Sequence, residues 1–581
     1  MPFPDTMDAA RNSTTTNAPL TRDEAIAQVV NTNPRFKVTQ TAIRGATLNV
    51  FANAPDNLRT LLQTAVDSFA DRELLVYGDS RWSYRGFADD VNRMAHALTG
   101  ELGVRPGDRI GIAMRNYPEM PILIMAIVSV GAVAVPLNAW WSGEELAFAL
   151  KDSSVGLVFS DRDRYRLLEP HVNALGVTQV ATHDADGDLR YSDLLDRSHN
   201  TAWPDTPVHP DDDFAVMYSS GSSGRPKGVL LTHRGAISSV HSWVMGKEVA
   251  ALMDPEAAAA ASDRPASLVV TPLFHVTALH SVFLQGVALG TKLVLMYRWN
   301  AEEAADLIER ERITRFVGVP TQSADLMATA QVSGRQLDSL ETLGAGGAKR
   351  PASQVLEISR LFPSASPAAG WGMTETNSLG ILITGPEYVA NPEAAGRMTP
   401  PLQEMRIVDA NGKEVTNGEV GELTVRSPAN MRGYLNLPEE TEATLRDGWL
   451  YTGDLARVDD TGLFYIVDRK KSIIIRGGEN ISCLEVEGAL HAHPTVAEAC
   501  VFPVPDQRLG EVVGAVVYCR DGHKVAGDDI LAFLKGKLAA FKLPEKLWFW
   551  DDPLPRGGTG KLDRKTVQRL CQEAPEQNNA K

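Results

Sequence analysis

Cysteine is scarce in this chain, with four among 581 residues, all of them in its last fifth. Neither a CxxC spacing nor a histidine at metal-ligand spacing accompanies Cys483, Cys500, Cys519 or Cys571. Disulfide frameworks and zinc sites need paired or clustered cysteines, so we expect neither. The four thiols are predicted to be reduced and structural.

Positive charge is also in deficit. Lysine and arginine number 57 against 73 aspartates and glutamates, which gives a formal net charge of −16. An acidic surface repels nucleic acid and anionic membrane surfaces unless basic residues cluster locally. We therefore expect no nucleic-acid partner, while a small anionic ligand stays possible.

The N-terminal sequence lacks the basic segment and apolar core of a secretory signal. We expect a cytoplasmic protein whose residues 1–50 form a partly disordered N-terminal extension of unassigned role. The uncharged residues 120–141 are long enough to span a membrane. Gly131 and Pro136 divide them, so we predict a buried helix followed by a buried strand, and no transmembrane segment.

Strand-like and helix-like segments alternate over most of the chain. One series runs RIGIAMRN, PILIMAIVSVG, AVAVPLN, ELAFALKDS and VGLVFSD, and a second runs from SLVVTPL to LETLGAGGA. This alternation is typical of parallel sheets covered by helices. Two open α/β sheets are therefore predicted.

After about residue 395 the pattern changes to short strands with Gly and Asn turns, as in QEMRIVDANGKEV and NGEVGELTVRS. Such segments indicate hairpins and a small β subdomain. The last hundred or so residues return to mixed α and β. We predict an extension over residues 1–50, a large domain over 51–470 with its β subdomain at about 396–468, and a C-terminal domain over 471–581.

Glycine and serine are concentrated in YSSGSSGRPKG at residues 218–228. Small residues let backbone N–H groups close around an anion, although a flexible linker has the same composition. DFAVM before the loop reads as a strand, and VLLTHRGAISSV after it has helical spacing. The loop suits a polyphosphate, but Gly228 follows Lys227 where the P-loop pattern needs Ser or Thr.

Four further motifs accompany this loop: GWGMTET at residues 370–376, YTGDL at 451–455, DRKKSIIIRGGENI at 468–481 and PRGGTGKLDR at 555–564. In this order and spacing, the five closely resemble the adenylate-forming superfamily of acyl-CoA synthetases, arylate-CoA ligases, luciferases and adenylation domains. The resemblance covers roughly residues 50–570. It implies an α/β fold with two open sheet subdomains and a small β-barrel-like subdomain, followed by a small, mobile α+β C-terminal domain.

The resemblance implies ATP, Mg²⁺ and coenzyme A as cofactors and a small-molecule carboxylic acid as substrate. The acid is first joined to AMP with loss of pyrophosphate, because a carboxylate resists attack by a thiol. Catalysis of that step is chiefly positioning and neutralisation of charge around phosphorus. By resemblance, the catalytic residues are Lys561, Thr374 and Glu375, and Glu375 is the Mg²⁺ ligand.

The resemblance also assigns residues to the nucleotide and to the passage of the thiol. Asp454 and Arg469 would hold the ribose, Trp371 would stack near the adenine, and the loop with Lys227 would wrap the outer phosphates. Lys471 would be the hinge of a domain rotation that withdraws Lys561 after adenylation. The cofactor-binding residues that the resemblance implies are Ser219, Ser220, Gly221, Ser222, Ser223, Gly224, Lys227, Gly346, Gly347, Ala348, Gly370, Trp371, Gly372, Thr374, Asp454, Arg469, Gly477, Gly478 and Lys561.

The acid itself is not specified by any motif. His275, Thr277 and Ser281 in PLFHVTALHS are candidates for the acyl pocket, although a core histidine is an equal explanation for His275. We expect a fatty acid, with an aryl acid as the alternative. CoA is expected as the acceptor and a carrier protein is the alternative; a non-catalytic nucleotide-binding protein and a homodimer also stay open.

Overall fold

The fold is described from a computed structural model of the 581-residue chain. The description covers residues 20–219, 226–476, 479–506, 508–520, 523, 525–535, 537–557 and 561–573, without the side chains of residues 471, 479 and 480. It has a large N-terminal α/β domain and a small C-terminal domain, as the sequence predicts.

The first sheet has the spatial order β20-β10-β9-β6-β5-β7-β8 within the described residues. Its strands β5 to β9 pair in parallel where they adjoin, and β10 and β20 add antiparallel neighbours. The strands are β5 Arg109–Ala113, β6 Val133–Pro136, β7 Leu157–Ser160, β8 Thr178–Ala181, β9 Asp213–Ser219, β10 Lys227–Thr232 and β20 Gly433–Tyr434.

The uncharged segment at residues 120–141 forms part of this sheet and its cover. A helix runs from Glu119 to Ser129, and Gly131 at φ +72° turns the chain into β6. Side chains from Met120 to Ser129 are all buried because the helix is covered on every side. The predicted buried helix and strand are confirmed, and no helix in the described part of the chain is long and apolar enough to cross a membrane.

The helical prediction for VLLT is wrong. Residues Lys227–Thr232 form β10, which pairs antiparallel with β9 and places Lys227 opposite Ser219. The aliphatic run Val229–Leu231 is buried between two strands, so sheet pairing decides its conformation. The helix begins only at His233, where the side chain of Thr232 caps it.

The second sheet has the order β17-β16-β15-β14-β13-β11-β12-β3-β4 in the described chain. Within this sheet, the six strands β3 and β11 to β15 are adjacent and all run parallel to one another. The second predicted α/β unit is therefore confirmed. The strands are β3 Glu73–Tyr77, β4 Ser80–Ser83, β11 Ala266–Val269, β12 Lys292–Leu295, β13 Arg315–Gly318, β14 Thr342–Gly346, β15 Ser366–Trp371, β16 Ile381–Thr384 and β17 Arg397–Met398.

A small antiparallel sheet follows, with strands β18 Glu404–Val408, β19 Gly421–Arg426, β21 Leu445–Arg446, β22 Trp449–Val458 and β23 Phe464–Arg469. The C-terminal sheet has strands β24 Ile473–Arg476, β25 Glu479–Ser482, β26 Val496–Asp506, β27 Gly510–Cys519 and β28 Lys546–Trp550. The four cysteines of the C-terminal domain are free and buried, as expected.

Helices cover the sheets. They are α1 Arg22–Thr32, α2 Leu58–Phe69, α3 Tyr84–Gly100, α4 Glu119–Ser129, α5 Gly143–Asp152, α6 Arg162–Leu175, α7 Tyr191–Arg197, α8 His233–Met253, α9 Pro255–Ala260, α10 Val276–Ala278, α11 Gln285–Leu289, α12 Ala301–Glu311, α13 Pro320–Ser333, α14 Ala352–Leu361, α15 Gly385–Ala390, α16 Pro438–Thr444, α17 Cys483–His491, α18 Gly527–Lys535 and α19 Arg564–Glu573. A π-helical turn at Leu279–Leu284 joins α10 to α11.

The described part of the N-terminal extension ties distant parts of the large domain together. Helix α1 is followed by a hairpin of β1 Val38–Ile43 and β2 Ala46–Phe51. Arg22 donates a hydrogen bond to the carbonyl of Met398, and Arg44 donates one to that of Asn430. These contacts give the extension a structural role that no sequence motif indicates.

A buried carboxylate joins β4, β12 and α12. Glu311 accepts hydrogen bonds from Arg81 and Lys292, and only 3% of its side chain is exposed. The hydrogen bonds from Arg81 are the main reason that the pKa of Glu311 falls to about 2. A depressed pKa stabilises the fold above the ordinary carboxyl range, and this stabilisation is lost as pH falls towards 2.

We predict that Glu311→Gln lowers the free energy of unfolding at pH 7 by about 1–3 kcal/mol, because Arg81 and Lys292 lose their buried charged partner and keep only the more exposed Glu73. Denaturant unfolding at pH 7 and pH 3 measures this, and the difference from wild type should shrink at pH 3. Glu309→Gln, whose side chain is 48% exposed, is the control. Equal stability of wild type and Glu311→Gln at pH 7 would contradict the prediction.

Candidate active site

The candidate site lies at the carboxyl ends of β14 and β15, the usual position for ligands in parallel sheets. Gly346 at the end of β14 is paired with Gly370 on β15, so the GAGGA and GWGMTET motifs are adjacent. Gly347 follows at φ +78°, which favours glycine. A Cβ there would also lie 2.6 Å from Cε of Lys561. A side chain at this position would displace the end of Lys561 from its present place.

Lys561 comes from the C-terminal domain and reaches the large domain. Its Nζ is 3.1 Å from the position that a Cβ on Gly347 would occupy. Part of the Lys561 residue is accessible to solvent, but enough protein atoms surround its ammonium group to desolvate it. Desolvation, and then the charge of Arg469, lower the pKa of Lys561 to about 8, while the charge of Asp454 opposes the shift. The structure thus brings together four of the predicted residues.

Asp454 is a buried carboxylate with a partner at each oxygen. Trp371 donates its indole N–H to Oδ2 at 2.8 Å, and Arg469 Nε lies 3.0 Å from Oδ1. Arg469 stands directly opposite Asp454 in the β22–β23 pair, which explains the contact. Burial raises the pKa of Asp454, while Arg469 and Trp371 oppose this shift. Each carboxylate oxygen has a second acceptor position, so a ribose diol can still bind.

The turn after Trp371 is rigid. A Cβ on Gly372 would collide with the carbonyl oxygen of Ser378, so only glycine fits. Thr374 opens a 3-10 turn, and buried Asn377 ends it in the left-handed region at φ 50°. The amide of Asn377 bonds to the Ala429 carbonyl at 2.7 Å and to His280 Nε2 at 3.0 Å. The loop that carries Thr374 and Glu375 is therefore fixed from two sides.

Glu375 is the candidate metal ligand. Tyr434 donates its hydroxyl to Oε1 at 2.9 Å, and burial raises the pKa of Glu375. No ion pair to Glu375 occurs among the residues that the structure describes. A desolvated carboxylate is stabilised by a cation, and Mg²⁺ at nucleotide sites usually takes one or two carboxylates together with phosphate oxygens. The donor set therefore fits Mg²⁺.

Lys227 begins β10, beside the predicted phosphate loop. Its ammonium forms an ion pair with Glu440 of α16 and lies 5.2 Å from the ring centroid of Tyr434. Neither Glu440 nor Tyr434 belongs to a motif that sequence reasoning used, and both lie some two hundred residues from Lys227 in the chain. Strand pairing between β10 and β20 is what brings Tyr434 to this site.

The three acyl-pocket candidates lie beside the GAGGA strand. His275 is neutral, because desolvation and then the charge of Lys561 lower its pKa to about 3. Cγ2 of Thr277 is 3.6 Å from the position of a Cβ on Gly346. One turn further on, Ser281 donates to the carbonyl of Thr277 at 2.5 Å. The helix that carries them therefore forms a wall next to the end of β14.

Some predicted residues cannot be placed. Those outside the described residues are Ser220, Gly221, Ser222, Ser223, Gly224, Gly477 and Gly478. The backbone of Lys471 lies in a 3-10 turn, Lys470–Ser472, directly after β23, and its side chain is outside the description. Its role as a hinge stays a prediction.

Comparisons with known proteins agree with this geometry. The family model for AMP-binding enzymes matches residues 62–435, and the model for their C-terminal domain matches residues 485–561. The chain is 36% identical to feruloyl-CoA synthase from Amycolatopsis sp. over 85% of this chain and 94% of that protein. It is 30% identical to oxalate–CoA ligase from Arabidopsis thaliana over 90% of this chain and 99% of that protein.

A solved structure is also similar. The o-succinylbenzoate CoA synthetase from Bacillus subtilis, in complex with its acyl-adenylate intermediate, aligns with a TM-score of 0.75. The two are 27% identical, and the alignment covers 89% of this chain and 98% of that one. Two matched domains, full-length relatives and a common fold lead to one conclusion: the chain belongs to the AMP-binding enzyme family and is an acid–CoA ligase that acts through an acyl-adenylate.

Proposed function

We propose that the chain joins an aryl carboxylic acid to coenzyme A, and that Lys561 is its principal catalytic cation. The observation that carries the proposal is the position of Lys561, inserted between Gly347 and the Asp454–Arg469 pair. A C-terminal domain in this orientation is suited to the first half-reaction, in which the carboxylate meets the nucleotide.

In that half-reaction a carboxylate oxygen bonds to the α-phosphorus of ATP, and the bond from phosphorus to the pyrophosphate oxygen breaks. Two anions approach each other, so fixed positive charge lowers the barrier most. Lys561 would neutralise the α-phosphate and the acid, and Lys227 would exchange Glu440 for the outer phosphates. Thr374 would donate to the α-phosphate from its rigid turn.

Glu375 would hold Mg²⁺, which supplies charge neutralisation to the bound phosphates. Asp454 and Arg469 would orient the ribose, and Trp371 would hold Asp454 while its ring borders the adenine. In the second half-reaction the CoA thiolate attacks the acyl carbon and AMP leaves. Lys561 would then be withdrawn by rotation of the C-terminal domain about Lys471.

An aryl acid is favoured over the fatty acid expected from the sequence. Feruloyl-CoA synthase and o-succinylbenzoate CoA synthetase are both named for acids that carry an aromatic ring. Oxalate–CoA ligase is named for an acid without one, so small diacids are the competing class. Acid-dependent release of AMP across a panel of aryl, fatty and small dicarboxylic acids separates the three classes.

The role of Lys561 predicts a selective defect. Lys561→Ala should slow acid-dependent exchange of pyrophosphate into ATP by about 100- to 1,000-fold, because the developing charge loses its nearest cation. Transfer from a supplied acyl-adenylate to CoA should be nearly unchanged. Lys565→Ala, an exposed lysine on α19, is the matched control. Exchange at the wild-type rate in Lys561→Ala would show that another group performs this function.

The lowered pKa of Lys561 predicts a pH dependence. With a pKa of about 8, the ammonium loses its proton as pH rises through 8, so kcat/KM for adenylation should fall above that pH. Lys561→Arg should be slower but should not show this decline, because a guanidinium stays protonated. Pyrophosphate exchange between pH 6.5 and 9.5 measures both. A decline of the same shape in the arginine variant would assign the titration to a different group.

A further inference from the structure

A second buried cation lies on the acyl side of the site, in Arg315 at the start of β13. Arg315 and Val317 are partly exposed, whereas the alternate residues Phe316 and Gly318 are buried. Side chains alternate between the faces of a strand, so Arg315 and Val317 share one face. Partial exposure on a central strand of the sheet means that this face lines an internal space.

One wall connects this face of β13 with the active site. Thr277 adjoins Gly346 at the reacting end, and Ser281 lies one helical turn further from it. Nη1 of Arg315 donates a hydrogen bond to the Ser281 carbonyl at 2.9 Å. A single wall therefore leads from Gly346 past Thr277 and Ser281 to the guanidinium.

Arg315 has an unusual electrostatic environment. Protein surrounds it, and desolvation alone lowers its pKa to about 10. Among the described residues it has no carboxylate within ion-pair distance and makes one hydrogen bond, the one to Ser281. A buried charge without a partner is costly, so this side chain would be stabilised by a ligand that accepts hydrogen bonds.

Two charged residues lie near Arg315. Desolvation lowers the pKa of Lys247 on α8, Glu341 raises it, and Arg315 lowers it. Glu341 also accepts the backbone N–H of Ser262 on its Oε1 at 2.7 Å. Neither residue is an ion-pair partner of the guanidinium, so Arg315 keeps its capacity to donate to a ligand.

An unpaired acceptor lies on the same helical wall. Gln285 follows Ser281 by about one turn, and its Oε1 is buried without a hydrogen-bond donor from any described residue. The guanidinium can only donate, whereas this oxygen can only accept. A hydroxyl group satisfies both, and an alkyl chain satisfies neither.

The length of the space limits the ligand. Arg315 is level with Thr342 in the pairing of β13 with β14, and Gly346 ends β14 four residues later. At about 3.3 Å per residue this is a rise of roughly 13 Å, and the reach of the Arg315 side chain shortens the distance to roughly 10 Å. An arylpropenoic acid with a para substituent has a comparable length.

We propose that Arg315 determines specificity: its guanidinium donates a hydrogen bond to a phenolic hydroxyl at the far end of the acyl group. The inference rests on the proposed activation of aryl acids and adds the substituent that the pocket recognises. Arg315 acts on the acid alone and takes no part in the chemistry at phosphorus.

The wild-type enzyme provides the first test, with cinnamate, 4-methylcinnamate and 4-hydroxycinnamate in acid-dependent AMP release. We expect kcat/KM for the hydroxylated acid to exceed that for the other two by about 10- to 100-fold, because only it pairs the buried polar groups. Equal values of kcat/KM for all three acids would overturn the role of Arg315 but not the proposal that aryl acids are activated. If none of the three acids causes release of AMP, the proposal that aryl acids are activated is overturned instead.

Variants supply the second test. Arg315→Met should lower kcat/KM for 4-hydroxycinnamate by about 10- to 100-fold and that for cinnamate by less than about threefold. Arg315→Lys should recover part of the preference, and Arg298→Met at an exposed position is the control. An equal loss with both acids, or a preference unchanged in Arg315→Met, would show that the arginine is only structural.

Discussion

The close approach of Lys561 to Gly347 is the contact on which the rest of the site depends. It brings an ammonium group from the C-terminal domain to the end of β14, where Gly346 and Gly370 leave the backbone bare. At Gly347 the left-handed backbone favours glycine, and a side chain would enter the space that Lys561 occupies. The same approach surrounds the lysine with protein and lowers its pKa towards the physiological range.

Charge in this protein is distributed unevenly. The chain as a whole carries a net charge of −16, yet three cations, Lys227, Arg469 and Lys561, belong to the proposed nucleotide site. Before a nucleotide arrives, carboxylates occupy two of these cations: Glu440 pairs with Lys227 and Asp454 with Arg469. Glu440 compensates the charge of the largely buried Lys227, and the exposed Arg469 compensates that of the buried Asp454. At Lys227, nucleotide binding would then be an exchange of the Glu440 carboxylate for the outer phosphates.

Motifs and periodicity predicted a large share of this architecture. The alternation of apolar segments placed both parallel sheets, and the family resemblance assigned the glycines of GAGGA and GWGMTET to the nucleotide site. The side-chain contacts within the site could not be predicted from the sequence. The Trp371–Asp454 hydrogen bond, the Tyr434 hydroxyl on Glu375 and the pairing of Lys227 with Glu440 join residues far apart in the chain, and no spacing encodes them.

In the sequence, Arg315 has no feature that distinguishes it from other strand residues. Only the tertiary structure shows that no described carboxylate forms an ion pair with it. The strand at Lys227–Thr232 was misjudged because a four-residue apolar run carries no reliable period.

The most direct measurement is a crystal structure of the protein bound to a non-hydrolysable analogue of an aryl-adenylate. We predict that Nζ of Lys561 lies within about 3 Å of an α-phosphate or acyl oxygen of the analogue, as a charge-assisted hydrogen bond requires. Asp454 should contact the ribose in the same complex. A structure in which Lys561 lies away from the anhydride, with a different cation against those oxygens, would contradict the account.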